Sequence, residues 1–189
     1  MKKSLGVRRW IFLFSLLLVF VVVPLSAAEA AGVVEASFSY ARQTGPGSNQ
    51  FALWVEDSEG RCVRTLYATR FTATGGWEKR PESVKLWVEK SGLPGMTDAE
   101  VDAITGPTPG PGVLKYAWDL TDGAGRPVAD GAYTLFIEGS LRSEKRVLYS
   151  IAFETGGGAK ELACETRYFG DDGPERAMLS DVKARYTPQ

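Results

Sequence analysis

The sequence predicts an all-β protein, a sandwich of about eight strands with one or two short helices in a long connection. Three observations carry this expectation. Apolar residues alternate with polar ones in segment after segment, the period of a strand with one buried face. Clusters of Gly, Pro, Asp and Asn punctuate these segments, as the turns of a sandwich require. Helical spacing is confined to one stretch, between Arg80 and Gly106.

The first residues are expected to be a secretion signal. Lys2, Lys3, Arg8 and Arg9 make a basic start, Ile11 to Val23 is a short apolar run, and Pro24 breaks it. The run falls short of the ~20 residues of a membrane span, so no span is expected after cleavage; an uncleaved anchor is the alternative. Residues 1–28 are assigned to the signal and residues 29–189 to a single exported domain, in the periplasm or outside the cell.

Within that domain, Val34, Ala36, Phe38 and Tyr40 mark the first strand, and Gln43 to Asn49 is a loop. Phe51 to Glu56 and Arg61 to Ala68 are two strands joined by the turn Asp57 to Gly60. Pro81 at a first helical position, with Val84, Trp87 and Val88 spaced beyond it, predicts a short helix closed by Gly92. Val84, Leu86 and Val88 also alternate, so a strand competes for the same segment. Thr97 and Glu100 have capping-box spacing before a second short helix that Gly106 would end. Leu114, Tyr116 and Trp118, the turn Asp122 to Gly125, and Tyr133, Leu135 and Ile137 suggest a central hairpin. Its Asp-x-x-Gly-Arg-x-Val turn repeats that of Asp57 to Val63, through duplication or through one turn chemistry used twice. Val147 to Phe153, Leu162 to Tyr168 and Val182 to Tyr186 supply the last strands.

Composition excludes several functions. With 22 basic and 23 acidic residues, removal of the four basic signal residues leaves the mature chain mildly acidic, which disfavours nucleic acid as a partner. Histidine is absent, so a Ser–His or Cys–His nucleophile is impossible. No other nucleophile–base pair is legible, and the chain is not expected to be an enzyme. Asp119, Asp122, Asp130, Asp171 and Asp172 lack the spacing of a calcium loop and suit turns, so no metal is expected. Cys62 and Cys164 lie on strands far apart in sequence; a bridge, which export permits, and two packed free thiols both remain open.

FALWVEDSEGRCVRTLY (51–67), VDAITGPTPGPG (101–112) and WDLTDGAGRPVADGAYTLFIEG (118–139) together resemble an exported family catalogued as domain of unknown function 2271. The last segment is also similar to the Ig-like domain of flagellar hook-capping proteins. Both resemblances imply an immunoglobulin-like β-sandwich. Asp102 to Thr108 resembles the signal D-x-x-[S/T]-G-A-[S/T] read by extracytoplasmic flavin transferases, with Pro107 in place of Ala. The resemblance implies that Thr108 accepts FMN through a phosphoester and that Asp102, Thr105 and Gly106 form the recognition signal. It further implies a non-enzymatic accessory of an extracytoplasmic, flavin-linked electron-transfer system, with a flavin transferase and an envelope redox protein as partners. Trp87 or Trp118 would then stack on the isoalloxazine, or pack in the core. The other reading of the residues is a plain Ig-like binding or structural module of the cell envelope, without cofactor and with another envelope protein as its partner.

N-terminal sequencing of the exported protein is expected to begin after Ala28 or Ala30, where small residues stand at the positions a signal peptidase reads. A membrane-bound species beginning at Met1 would contradict it.

Overall fold

The computed structural model describes residues 31–44, 49–142, 145–170 and 178–189; the signal expectation and Asp171–Asp172 lie outside them. Among the described residues, β1 (Gly32–Tyr40) precedes the hairpin β2 (Gln50–Asp57) and β3 (Cys62–Thr69). A helical segment follows, with a single turn α1 (Trp77–Lys79), then α2 (Lys85–Ser91) and α3 (Asp98–Ile104). The chain continues through β4 (Thr105–Gly106), β5 (Gly112–Trp118), β6 (Ala132–Arg142), β7 (Lys145–Glu154), β8 (Lys160–Leu162), β9 (Glu165–Phe169) and β10 (Leu179–Pro188).

The strands form two sheets, ordered β5-β1-β10-β8 and β4-β3-β2-β6-β7-β9. Alternating residues of both, among them Val34, Phe38, Leu53, Leu135, Ile151 and Tyr186, fill the space between them. The neighbours β1–β5 and β2–β6–β7 reproduce the B–E and C–F–G pairings of an immunoglobulin sandwich, while β10 takes the place of strand A beside β1. Tyr133, near the start of β6, donates its hydroxyl to the Ala129 carbonyl at 2.6 Å, the tyrosine corner of that fold. Gly139 is small for a packing reason, since a Cβ there would stand 2.9 Å from Leu179 Cδ1, at the start of β10.

Both faces of β2 are buried. Phe51, Leu53 and Val55 enter the sandwich, while Ala52 and Trp54 lie under the helical segment with Val84, Trp87 and Leu93. Buried polar side chains on that outer face seat the helices. Gln50 Oε1 accepts from the hydroxyls of Thr69 and Thr72 at 2.6 and 3.2 Å. Glu56 accepts from Trp54 Nε1 and Lys90 Nζ at 2.8 and 3.2 Å. Ser140 Oγ accepts from Val84 N at 2.9 Å, and Glu138 accepts from Leu86 N and Trp87 N at 3.3 and 3.0 Å. Val84, the N-cap of α2, has no capping side chain of its own, so β6 satisfies the first N–H groups of the helix from across the interface. Burial pushes the Glu138 carboxyl up, and these donors with Arg146 Nη1 at 3.2 Å act against it.

Four expectations need correction, and one open choice closes. The helix around Trp87 wins over the strand, but it begins at Lys85 rather than at Pro81, which lies in the preceding turn. Val84 makes the junction in the left-handed region (φ 48°), and Gly92 closes the helix as expected. The second helix stops at Ile104, two residues before Gly106, because Thr105 is already extended. The central hairpin is not a hairpin, since β5 and β6 belong to different sheets. The turn Asp122 to Gly125 closes a short ribbon within the crossing, held by Asp122 N to Arg126 O and Val128 N to Leu120 O. Leu162 to Tyr168 is two strands, because the chain changes sheets between β8 and β9. Cys62 and Cys164 are both free, and the open choice falls to the thiols: Cys62 packs beneath the helices and Cys164 against the sandwich core.

Glu138→Ala is expected to lower the unfolding free energy by on the order of 3 kcal/mol, because it strands two helix N–H groups and Arg146. Urea denaturation followed by circular dichroism measures it; a loss below about 1 kcal/mol would refute this account of how α2 is seated.

Candidate functional site

The helix that leads into the Asp102–Thr108 segment is fixed at its start. Thr97 and Glu100 make a reciprocal capping box, with Thr97 N donating to Glu100 Oε2 at 2.7 Å. Those hydrogen bonds from Thr97 hold the Glu100 carboxyl below its usual range. Asp102, in the middle of α3, is exposed and stands 3.7 Å from Arg70 Nη2. Two-thirds of each side chain is exposed, so the pair adds little stability.

Beyond Ile104 the backbone is extended, and Thr105 and Gly106 pair in parallel with Ala68 and Thr69. Gly106 is held here by close packing, because a Cβ would meet Tyr67 Cε2 at 3.0 Å. Pro107 favours the same outcome, since the residue before a proline is pushed out of the helical region. The Tyr67 hydroxyl donates to the Pro107 carbonyl at 3.1 Å and lies 3.5 Å from that of Gly106. Its ring stacks on Phe51 (centroids 5.0 Å apart) and contacts Tyr116 at 5.3 Å. Burial, with repulsion from Tyr40 second, pushes the Tyr67 phenol up to about 12, so it remains a donor.

Thr108 is exposed, within an irregular stretch that crosses from β4 in one sheet to β5 in the other. Thr105, Gly106 and Thr108 therefore lie together on this crossing, and Asp102 stands on the helix that leads into it. Neither candidate tryptophan is available to a ligand on the surface. Trp87 is fully buried, with Nε1 donating to Thr65 Oγ1 at 3.0 Å, and Trp118 is fully buried, with Nε1 donating to the Thr121 carbonyl at 2.8 Å.

A cleft of about 740 Å³ opens beside this segment, between the edges of β3 and β5. Cys62 to Leu66 form one wall, Val33 and Ala117 the other, and Met96, Ala103 and Ile104 cover it from the helical side. At one end lies the turn Asp122 to Gly125, docked on β3 through Gly123 N to Val63 O at 3.0 Å. Arg64 Nη1 pins the same turn, donating to Thr121 Oγ1 and the Asp122 carbonyl at 2.7 Å each. Burial pushes the Cys62 thiol up to about 11, so it stays protonated at neutral pH. Among the described residues no three carboxylates or cysteines group closely enough to hold a metal ion. Asp119 and Asp122 serve as turn acceptors, for Thr121 and for Ala124 and Arg126.

Sequence reasoning missed Tyr67 and the cleft. Tyr67 lies about 40 residues before the loop it holds, and the cleft walls come from five separate segments. Only the closed sandwich brings them together.

Tyr67→Phe keeps the ring packing and removes the bond to Pro107, so it is expected to cost about 1 kcal/mol. Hydrogen exchange is expected to quicken in residues 105–112 and not in β2 or β6. Unchanged exchange in that segment would show that the phenol does not hold the loop.

A family model described as Predicted periplasmic protein (DUF2271) matches residues 34–169. No curated protein and no solved structure matches the chain.

Proposed function

The chain belongs to the DUF2271 family of predicted periplasmic proteins, and on that premise we propose that it is a non-enzymatic, flavin-carrying accessory of an extracytoplasmic electron-transfer system. Thr108 is the covalent FMN acceptor in this reading, and Asp102, Thr105 and Gly106 are the signal a flavin transferase reads. The observation that carries it is the exposure of Thr108 on a loop whose neighbours are anchored from below.

The residues present fit the group. A phosphoester needs an accessible hydroxyl and a backbone that can enter another enzyme's site, which loops on rigid scaffolds supply. Thr105 and Gly106 are tied to the end of β3, and Tyr67 draws the Pro107 carbonyl inward. Pro107 itself is exposed, and the Tyr67 hydroxyl uses its carbonyl rather than the N–H that proline lacks. The attached flavin would supply one- and two-electron transfer. The protein's own part is to carry the group on a stable sandwich and to present it to a transferase and then to an envelope redox protein.

Co-expression with a flavin transferase is expected to add one FMN, seen by intact mass and by fluorescence in a denaturing gel. Thr108→Ala is expected to abolish the addition without unfolding the domain, and Asp102→Ala to slow it. Pro107→Ala, which supplies the residue of the usual signal, is expected to be labelled as wild type is. If neither wild type nor Pro107→Ala is labelled while a control acceptor is, the protein is better described as an Ig-like module without cofactor.

A further inference from the structure

We propose that the cleft between β3 and β5 is a binding site for an isoalloxazine ring, that of the flavin carried on Thr108; the inference rests on the reading above. The cleft encloses about 740 Å³, within the range of roughly 300–1,000 Å³ typical of small-molecule sites. Its surface has two characters, as does the ring system. Leu66, Met96 and Ile104 offer apolar contact for the dimethylbenzene side. The guanidinium N–H groups of Arg64 beyond Nη1, with the backbone of β3, offer donors and acceptors for the pyrimidinedione side.

The backbone contribution follows from the topology. One side of β3 is paired by β2. Among the described residues, the other side is met only by Gly123 at Val63 and by β4 at Ala68 and Thr69. The edge between those two plugs is open and only four residues long, 64–67. That opening is shorter than the usual strand of five or six residues, which suits a compact planar ring better than an added peptide strand.

Tether length agrees. From Ile104, which lines the cleft, to Thr108 is four residues, at most about 14 Å of chain. An extended ribityl phosphate spans much of that distance, and the fused rings reach beyond it. The loop carrying Thr108 leads into β5 at Gly112, and Ala117, five residues along the same strand, lines the cleft.

The test uses the full mature protein with two small, exposed lining residues enlarged, Ala103→Leu with Ala117→Leu, and thermal unfolding to confirm that the variant folds. Wild type and variant are loaded with FMN by a transferase, and intact mass establishes equal loading. In wild type the flavin is expected to tumble with the protein, giving high fluorescence anisotropy and a visible circular dichroism band. In the variant anisotropy is expected to fall at least twofold and the band to disappear. A freely rotating flavin in loaded wild type, or a variant indistinguishable from it, would overturn the cleft assignment and leave Thr108 as acceptor untouched. Should no flavin be attached at all, free riboflavin is titrated into the unmodified protein. Saturable micromolar binding lost in the variant would support the cleft while the acceptor reading fails, and absence of binding would overturn both.

Discussion

A carboxylate buried in the outer face of a sheet is the constraint on which the rest of this molecule depends. Glu138 lies in the middle of β6, where an ordinary one-sided sandwich would leave the position to solvent. Its burial is tolerated because α2 brings two uncapped N–H groups to it and Arg146 brings a charge. Helix and carboxylate are each unsatisfied without the other. Ser140, Gln50 and Glu56 extend this polar seam, so the helical segment is registered on the sheet at several points rather than resting on it as a greasy layer. Everything the candidate site needs follows downstream: α3, the two-residue β4 and the loop bearing Thr108 are placed by where α2 is seated.

Strand existence was largely legible, because a buried face forces alternation and the chain alternates clearly in β1, β6, β7 and β10. Sheet membership was not legible. Period two says that one face is buried, and both sheets of a sandwich bury a face against the same core. Trp118 and Tyr133 both point inward, their rings 5.2 Å apart, although their strands are not neighbours. Leu162 to Tyr168 alternates without a break for the same reason, while the backbone passes from one sheet to the other at Ala163 and Cys164. The loop bearing Thr108 was visible as a string of residues, but what holds it was not. Tyr67 looks like any aromatic strand residue until the fold places its hydroxyl at Pro107.

The two Asp-x-x-Gly-Arg turns separate local from global information. In each, the aspartate accepts from the backbone N–H groups two and four residues on, and its other oxygen takes Arg Nε at 2.8 Å. One joins the neighbouring strands β2 and β3, while the other sits within a crossing between sheets. Identical turn chemistry thus serves two topologies, which favours local reuse over duplication as the reason for the resemblance between the segments.

The position of β10 has a consequence for how such a chain is made. Strand β10 lies between β1 and β8, so β1 can pair with β5 beforehand but gains its second neighbour only once residues 179–188 are present. A polypeptide crossing a membrane N-terminus first must stay threadable until it is through. Here the four-stranded sheet cannot be completed around β1 until residues 179–188 have crossed. Contacts between residues about 150 positions apart close slowly, and in this arrangement slowness works in favour of secretion. The sandwich is completed only when β10 takes its place between β1 and β8.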